Sequence, residues 1–496
     1  MADWRMLSVR IVTAASERCV TRCSVNDAEG GVVREHLVVV VPGIGGSVLA
    51  RPGQPDAPLW SVGWTDRRLL RRPELLSLAE TPALEPVGLI RSLRPVPFWT
   101  AVPGYEGLLK ALGHPHPTVL PVPYDFRLGV APAAERLADR VEERLRELWP
   151  GGNHAGRVIV VAHSMGGLVA RHWIGLGGGD AYCRALITLG TPHWGAPKAL
   201  NVLANGILVK GLPAFSGLRD VLRQWPSIAE LLPRYQAVVD ARPAHVGGTG
   251  GLLYPYELPL PWHEWGADPA AAYRLHVDIE QAWAKLPRDG TKVVPRVGYG
   301  HGTLRAAAWD GEGVRVTSDP LSFPRLGRWD GELGDGTVPA YAAVPVEMAD
   351  EPPDDFLMPY RHGRFAAMTA VADLTARYEG RGDLRPFRGV QHPAVLGADL
   401  DEVQVAGEPV DVAASIRGDD VDTAGVRVWA VVEDPATGRP AFDDVEFVAD
   451  AGGYRTVLPP LPPGTYTVRL SAREVPGAGD LETTETVEVF DDADLG

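Results

Sequence analysis

The stretch that most constrains the fold is RVIVVAHSMGGLVARHW at residues 157–173. Its β-branched run Val158–Val161 predicts a short buried strand, and Leu168–Ile174 predicts a helix. Ser164 falls on the tight turn between them. A serine on such a turn is held in a strained backbone conformation that presents its hydroxyl at the end of a sheet. The pattern therefore predicts Ser164 as a nucleophile.

The residues that flank this serine fit the same interpretation. Positions two before and two after a nucleophile on this turn must be small, because strand and helix nearly touch there. Gly166 satisfies the rule, and Ala162 replaces the first glycine of the G-x-S-x-G pattern. The residue after the serine is Met165, whose backbone N–H is predicted to donate to an oxyanion.

A glycine-rich loop follows the first apolar strand, Leu37–Val41, in the sequence PGIGG. Glycines in this place let the backbone approach a ligand closely. In a serine hydrolase such a loop supplies the second oxyanion N–H, here assigned to Ile44, while Gly43 and Gly45 are predicted to line the substrate site. The competing interpretation is a phosphate-binding turn. The loop lacks that fingerprint's third glycine and the Walker lysine, which disfavours it.

The acid and the base of a triad are expected after the serine, in the order serine, acid, histidine. Asp335 lies in GDGTVP, where glycines on both sides suit a carboxylate turned toward another side chain. A single Asp in a turn is otherwise an ordinary turn former. His362 precedes a helix predicted over Phe365–Tyr378 and is the predicted base. His392, in a Pro/Gly-rich stretch, is its one downstream rival.

Two further groups of polar residues follow predicted strands. The strand Ala185–Leu189 ends in GTPHWG, so His193 and Trp194 are expected near Ser164 as substrate-binding residues. His193 comes too soon after the serine to be the base. In the run PYDFR, Asp125 and Arg127 predict a structural ion pair rather than catalytic groups.

At 496 residues the chain is too long for one ordinary core, so more than one domain is expected. Residues 1–35 show no periodicity and are predicted to be a leader. Residues 36–392 are predicted to form an α/β domain, a mostly parallel sheet wrapped by helices. Inside it, 197–290 is rich in Leu, Pro and Trp and is predicted to be a cap over an apolar pocket, although its tryptophans also suit an ordinary helical core.

Prolines and three tryptophans, Trp60, Trp64 and Trp99, mark residues 51–100 as loop or flap material. The prolines and glycines of about 384–400 indicate a linker, and truncation near Leu396 is expected to leave an active enzyme.

The last part of the chain differs in pattern and in charge. Alternating apolar residues between turns predict a small all-β sandwich, immunoglobulin-like in architecture, over 400–490. From Asp399 onward there are 22 acidic residues against 6 arginines, whereas the whole chain has a net charge of −15. The acidity of the chain therefore belongs to this sandwich and argues against nucleic acid as a partner. Binding a protein partner, or spacing, is its predicted role.

Composition indicates where in the cell the protein is expected and whether it is expected to need a cofactor. No apolar run reaches the length of a transmembrane segment, and the N-terminus, with Asp3 and no sustained apolar core, predicts no secretory signal. Cys19, Cys23 and Cys183 are odd in number and suggest no disulfide framework. A cytoplasmic location is expected, and neither a metal nor an organic cofactor is predicted.

Seven motifs together resemble the lecithin:cholesterol acyltransferase family, which includes lysosomal phospholipases and enzymes that move acyl groups between lipids. In chain order they are VVVVPGIGGSVLA, PYDFRLG, AHSMGGLVAR, ITLGTPHWGAP, PSIAELLP, VGYGHGT and GDGTVP. The resemblance covers roughly 36–390. It implies an α/β-hydrolase fold with nucleophile, acid and base at Ser164, Asp335 and His362, and it puts the oxyanion donors at Ile44 and Met165.

The chain departs from the family at three points. Ala162 replaces the first glycine of the serine turn, and Phe126 replaces the usual tryptophan of a Tyr-Asp-Trp-Arg run. The flap disulfide of secreted relatives is missing, because no cysteine lies between residues 24 and 182.

The resulting hypothesis is a serine-dependent hydrolase or O-acyltransferase of lipid-like acyl esters. Two alternatives stay open. The chain could be a non-catalytic binding protein on a hydrolase scaffold, or an interaction protein whose acidic sandwich makes the functional contact.

Overall fold

The structure is a computed structural model of the chain. It describes residues 35–61, 69, 72–91, 104–209, 212–242, 251–287, 290–318, 334–350, 356–381, 394–418, 421–434, 438–450 and 453–491. The predicted leader up to residue 34, with Cys19 and Cys23, lies outside these residues, as do Trp64, Trp99 and His392. The chain from Leu37 to Gly496 forms one compact unit. The predicted domain boundaries stay predictions.

The strands and helices ahead of residue 394 alternate through most of this part of the chain. The strands are β1 (Leu37–Val41), β2 (Ser47–Ala50), β3 (Pro58–Trp60), β4 (Glu85–Leu89), β5 (Val119–Pro121), β6 (Val158–His163), β7 (Cys183–Leu189), β8 (Ile207–Val209), β9 (Leu212–Ala214), β10 (Val238–Asp240), β11 (Leu252–Leu253), β12 (Lys292–Gly298), β13 (Ala306–Trp309), β14 (Val314–Thr317) and β15 (Leu357–Met358). The α-helices are α1 (Glu106–Ala111), α2 (Val130–Leu148), α3 (Met165–Leu176), α4 (Pro197–Asn205), α5 (Ser216–Arg223), α6 (Pro226–Ala229), α7 (Trp262–Trp265), α8 (Pro269–Trp283) and α9 (Val371–Ala376).

Six strands of the described chain form a parallel sheet in the order β15-β12-β7-β6-β1-β5. Every residue of β1 and of β6 is buried, as expected for strands covered by helices on both faces. Ser164 follows β6 at the carboxyl end of the sheet, where ligands of open α/β sheets bind. The predicted α/β-hydrolase fold is confirmed.

The region predicted as a cap is structurally mixed. It contains α4 to α7 and the hairpin of β8 and β9, while β10 and β11 join β13 and β14 in a second, four-stranded sheet. Its last helix, α8, packs against the helix that follows Ser164, because the Trp283 indole donates to the carbonyl oxygen of Arg171 at 2.9 Å. This helix therefore supports the central sheet.

Trp60 corrects the prediction of a flap. Strands β2, β3 and β4 form a small antiparallel sheet, and Trp60 is fully buried within the core. Its indole donates to the carbonyl oxygen of Gly45 at 2.8 Å, and its ring meets Phe126 edge-on at 5.6 Å. The prolines indicated loops, but burying a large aromatic ring outweighs that local signal.

The helix predicted over Phe365–Tyr378 is broken into pieces. A 3₁₀ helix spans His362–Ala367 and is followed by α9 and by a π-helical turn at Arg377–Arg381. The first break falls at Met368, whose backbone is extended.

The C-terminal strands form two sheets. They are β16 (Val395–Asp399), β17 (Val403–Val405), β18 (Val410–Arg417), β19 (Val428–Asp434), β20 (Arg439–Glu446), β21 (Val448–Asp450), β22 (Gly453–Leu458), β23 (Gly464–Val475) and β24 (Gly479–Phe490). The sheets have the orders β16-β18-β22-β21 and β17-β24-β23-β19-β20. Both contribute to one apolar cluster, as a β-sandwich does. The first strand, β16, lies inside the stretch predicted as a linker, which corrects that prediction.

Candidate active site

Ser164 has the strained backbone that its turn predicts, with φ 54° and ψ −129°. It precedes α3 directly, and its side chain is buried. A Cβ at Gly166 would lie 2.4 Å from the carbonyl oxygen of Pro42. A glycine is therefore required at position 166 by the close approach of the chain at the end of the neighbouring strand β1, as well as by the turn itself.

His362 connects Ser164 to Asp335 through two short contacts. Its Nε2 lies 2.8 Å from Ser164 Oγ, and its Nδ1 lies 2.7 Å from Asp335 Oδ2. All three residues are about 1% exposed. Because the carboxylate accepts the Nδ1 proton, Nε2 is left to accept the serine proton. The arrangement can remove a proton from Ser164 and stabilise the imidazolium that results.

The surrounding backbone fixes both ends of the His–Asp pair. Asp335 Oδ1 accepts the N–H groups of Thr337 and Val338 at 2.9 and 2.7 Å. The His362 N–H donates to the carbonyl oxygen of Asp335 at 2.9 Å. Gly190, in the left-handed region with φ 58°, lies against the pair, and a Cβ there would be 2.9 Å from Asp335 Oδ2. The carboxylate is therefore oriented by backbone donors and by a glycine that leaves it room.

The loop after β1 reaches the serine. A Cβ at Gly43 would lie 2.7 Å from the Cβ of Ser164, and Ile44 is the next residue. Met165 is the first residue of α3, where backbone N–H groups have no partner inside the helix. Within the part of the chain that the structure describes, neither the Ile44 nor the Met165 N–H donates to a protein acceptor. Both donors are available to an oxyanion at Ser164.

A chain of hydrogen bonds runs beside the serine, through two residues that the sequence did not single out. The Gly43 N–H donates to the Tyr105 hydroxyl oxygen at 2.8 Å, and that oxygen lies 2.8 Å from His163 Nδ1. His163 Nε2 lies 3.0 Å from the carbonyl oxygen of His362. A carbonyl only accepts, so Nε2 carries the proton and Nδ1 accepts the Tyr105 hydroxyl. The chain of hydrogen bonds thus joins the loop after β1 to the backbone of His362.

His163 stays neutral in this network. Burial, reinforced by neighbouring His362, lowers the pKa of His163 to about 3. Its ring packs against that of His362, with ring centroids 5.1 Å apart. The one signal for it in the sequence is its place directly before the serine. Tyr105 has none, because its contact with His163 spans 58 residues.

The PYDFR motif supports the same loop from the other side. The Tyr124 hydroxyl donates to the carbonyl oxygen of Pro42 at 2.7 Å. Asp125 and Arg127 form the predicted ion pair, with an N–O distance of 2.6 Å and almost no exposure. Arg127 also donates to the carbonyl oxygens of Leu76 and Thr81. The pair is structural and fixes the segment that follows the helical turn at 73–76.

Four residues predicted to bind substrate differ in their surroundings. Gly43 contacts Ser164, as described above, and the carbonyl oxygen of Gly45 accepts the Trp60 indole. His193 is buried with Nε2 3.3 Å from Thr188 Oγ1, and burial lowers its pKa well below the usual range. The Trp194 indole donates to the carbonyl oxygen of Val344. Substrate contact by these residues stays a prediction.

The described residues contain no group of three or more His, Cys, Asp or Glu side chains arranged to hold a metal ion. No helix among them combines the length and the apolar character needed to cross a bilayer.

The parallel sheet, the strained serine and the buried histidine together define an α/β-hydrolase fold. A family model described as lecithin:cholesterol acyltransferase matches residues 107–249, and over that range the resemblance seen in the sequence is confirmed. The match includes Ser164 and Met165 and ends before Asp335. No curated protein matches the chain.

Solved structures similar to this chain include two forms of one lipase. The lipase BlEst2 of Bacillus licheniformis in its propeptide form shares 12% identity, covering 92% of this chain and 94% of its own, with a TM-score of 0.33. The mature form of the same lipase shares 10% identity. The match covers 71% of this chain and 94% of the lipase chain, with a TM-score of 0.33. A superoxide reductase (neelaredoxin) of Ignicoccus hospitalis shares 17% identity. That match covers 20% of this chain and 82% of the reductase chain, with a TM-score of 0.16.

Proposed function

We propose that this protein is a serine-dependent acyl-ester hydrolase or O-acyltransferase that acts on lipid-like esters. The family match supports the general class of esterase or acyltransferase. The observation that carries the specific proposal is the contact of His362 Nε2 with Ser164 Oγ at 2.8 Å, on a serine with a strained backbone. This geometry belongs to a nucleophile with an adjacent general base.

In the proposed reaction, Ser164 Oγ attacks the carbonyl carbon of the ester while its proton moves to His362 Nε2. The N–H groups of Ile44 and Met165 donate to the oxyanion of the tetrahedral intermediate. The bond to the alcohol portion then breaks, and that oxygen takes the proton from His362. Asp335 stabilises the imidazolium throughout. The product of this half is an acyl group bound to Ser164.

The second half reverses these proton transfers with a new nucleophile. Water or an alcohol gives its proton to His362 and attacks the acyl carbonyl, which frees Ser164. Water yields a free acid, whereas an alcohol yields a new ester. We propose hydrolysis as the default outcome, since water competes wherever it enters the site. Transfer to a lipid alcohol is the alternative that remains open because of the family match.

Apolar content around α4 to α7 supports lipid-like acyl chains as the substrate class. Leu200, Leu203, Leu222 and Trp225 are fully buried and belong to the main apolar core. The support for the substrate class therefore comes from composition, because the Leu, Pro and Trp content of residues 197–290 suits an apolar site for a long acyl chain. The proposal therefore places long-chain esters ahead of short, water-soluble ones.

The test supplies a labelled long-chain ester with and without a lipid alcohol and separates the products, with Ser164→Ala as the control. Free acid in both reactions indicates a hydrolase, and a new ester replacing the acid indicates a transferase. Turnover of short soluble esters alone would remove the lipid part of the proposal and leave the Ser164 chemistry. Equal turnover by Ser164→Ala would contradict the whole proposal.

A further inference from the structure

The residue immediately before His362 joins the active-site loop to the C-terminal sandwich. Arg361 Nε lies 2.6 Å from Glu485 Oε1 on β24, and the two side chains are 11% and 4% exposed. Arg361 Nη2 also donates to the carbonyl oxygen of Ala398 on β16. These two strands belong to the two different sheets of the sandwich. One side chain beside His362 thus engages both sheets.

Arg361 contacts the loop of Asp335 as well. A Cβ at Gly336 would lie 3.1 Å from Arg361 Nη1, so the guanidinium packs against the backbone next to the acid. The Gly336 N–H in turn donates to Thr303 Oγ1 at 2.9 Å. The acid loop, the base loop and the sandwich therefore meet around a single arginine.

The backbone of residues 300–302 provides a second connection to the sandwich. A Cβ at Gly397 of β16 would lie only 2.1 Å from the carbonyl oxygen of Gly300. A Cβ at Gly302 would lie 3.0 Å from Cγ of Asp399. The same loop contacts the acid loop, because the His301 N–H donates to the carbonyl oxygen of Gly334 at 3.1 Å. The sandwich is close-packed against the segment that supports Asp335.

Apolar contacts extend this interface. Phe490, at the end of β24, meets Phe215 edge-on with ring centroids 5.2 Å apart. Val395, Val403 and Phe490 belong to the main apolar core rather than to the core of the sandwich. A spacer attached by a linker would not share the core of the domain ahead of it.

We propose that the C-terminal sandwich is a structural part of the active site, and that the Arg361–Glu485 ion pair positions His362 against Ser164. The proposal rests on the proposed function for its effect on turnover. Arg361 and Glu485 are positioning residues, since they act through the backbone of His362. Removing one member of a buried pair leaves the other as an uncompensated charge, which is strongly destabilising locally.

The state of this pair depends on pH. Burial raises the pKa of Glu485 to about 7, while Arg361 opposes that shift. Glu402 also raises the pKa of Glu485, and Arg364 lowers it. Glu485 is therefore charged above pH 7 and progressively neutral below it. The pair holds His362 most firmly on the alkaline side.

The experiment compares Glu485→Gln with Glu433→Gln in the full-length chain. Glu433 forms a similar ion pair with Arg469 in the same sandwich, at 2.6 Å, but that pair is exposed and joins β19 to β23 within the sandwich. For Glu485→Gln we expect kcat on a chromogenic ester to fall about tenfold or more at pH 8 with KM little changed, because small misplacement of a base is costly. The deficit should shrink below pH 7, where wild-type Glu485 also becomes neutral. Glu433→Gln should match the wild type throughout.

Amide hydrogen exchange gives a readout that does not depend on turnover. Peptides spanning residues 356–367 should exchange faster in Glu485→Gln than in Glu433→Gln, while β1 and β6 stay equally protected in both. If Glu485→Gln fails to fold, Arg361→Lys serves in its place, with the same expectations for exchange and kcat.

Unchanged exchange at 356–367 would overturn the proposal, as would a kcat deficit in Glu485→Gln that is the same at every pH. A wild-type protein that neither turns over esters nor reacts with a serine-directed probe, yet shows the exchange difference, would overturn the proposed function and leave the coupling standing.

Discussion

The Tyr105 hydroxyl lies 2.8 Å from Nδ1 of His163, the residue immediately before Ser164. The same hydroxyl oxygen accepts the Gly43 N–H from the loop that carries Ile44. One phenol group thus ties the proposed oxyanion loop to the strand that ends in the nucleophile. Its burial, which raises the Tyr105 pKa above the usual range, keeps the group protonated and able to donate.

Tyr105→Phe should lower kcat about tenfold with little change in KM, since it loosens a proposed oxyanion donor without deleting it. Steady-state kinetics on a chromogenic ester provide the measurement. Tyr235→Phe is the matched control, because Tyr235 is partly buried and its hydroxyl also has a tyrosine partner, the hydroxyl of Tyr341 at 2.8 Å. Equal kinetics for the two variants would show that the Tyr105 hydroxyl does not position the loop.

Gly190→Ala should impair turnover about a hundredfold, because the new methyl group would meet Asp335 Oδ2 and His362 Nδ1 at 2.9 and 3.1 Å. Gly178→Ala is the control. Gly178 also has a left-handed backbone, with φ 76°, yet nothing lies within 4 Å of its Cβ position. Both variants therefore place an alanine at a positive φ, and only the first crowds the His–Asp pair. Similar activity in both would contradict this assignment of Gly190.

The protein should lose stability steeply below about pH 4.5. Burial lowers the pKa of His163 to about 3 and that of His276 to about 4, so the folded state favours their neutral forms. Their contribution is complete above pH 6.5 and is lost as pH falls toward those values. Burial raises the pKa of Glu230 and Glu280 to about 7. These carboxyls have the opposite effect and oppose the histidines only between about 7 and 4.5.

Denaturant unfolding at successive pH values measures this balance. Each histidine should contribute a slope of up to about 1.4 kcal/mol per pH unit between pH 6.5 and its folded pKa. His276→Gln removes one such group and should flatten the dependence of stability on pH by about that amount between about pH 6 and 4.5. An acid limb with the same slope in both proteins would exclude His276 as a contributor.

Truncation near Leu396 tests what the sequence could and could not predict. Composition marked a linker there, and the sequence alone predicts an active remainder. The contacts of Gly397 with Gly300 and of Arg361 with Glu485 predict instead an inactive or poorly soluble remainder. Soluble yield and specific activity of the fragment ending at residue 394 decide between them. A soluble fragment with full activity would support the sequence-based prediction that the sandwich is not needed for catalysis.

Local sequence patterns suffice to predict those features of the site that depend on neighbouring residues in the chain. The strand before Ser164, the turn itself and the order of Ser164, Asp335 and His362 follow from spacing, and the structure brings those three residues into contact. Tyr105 could not be predicted, because its role depends on a contact between distant parts of the chain. The prolines near Trp60 predict a flap, whereas its burial depends on packing against Phe126, which is distant in the sequence.

In the proposed mechanism, Ser164 carries the acyl group in a covalent intermediate. The most direct test treats the protein with a fluorophosphonate and maps the modified peptide by mass spectrometry. We expect one stoichiometric modification at Ser164 that inactivates the enzyme, none in Ser164→Ala, and strongly reduced labelling in His362→Ala. Esterase activity that survives in Ser164→Ala, or modification at another residue that accounts for the inactivation, would contradict this mechanism.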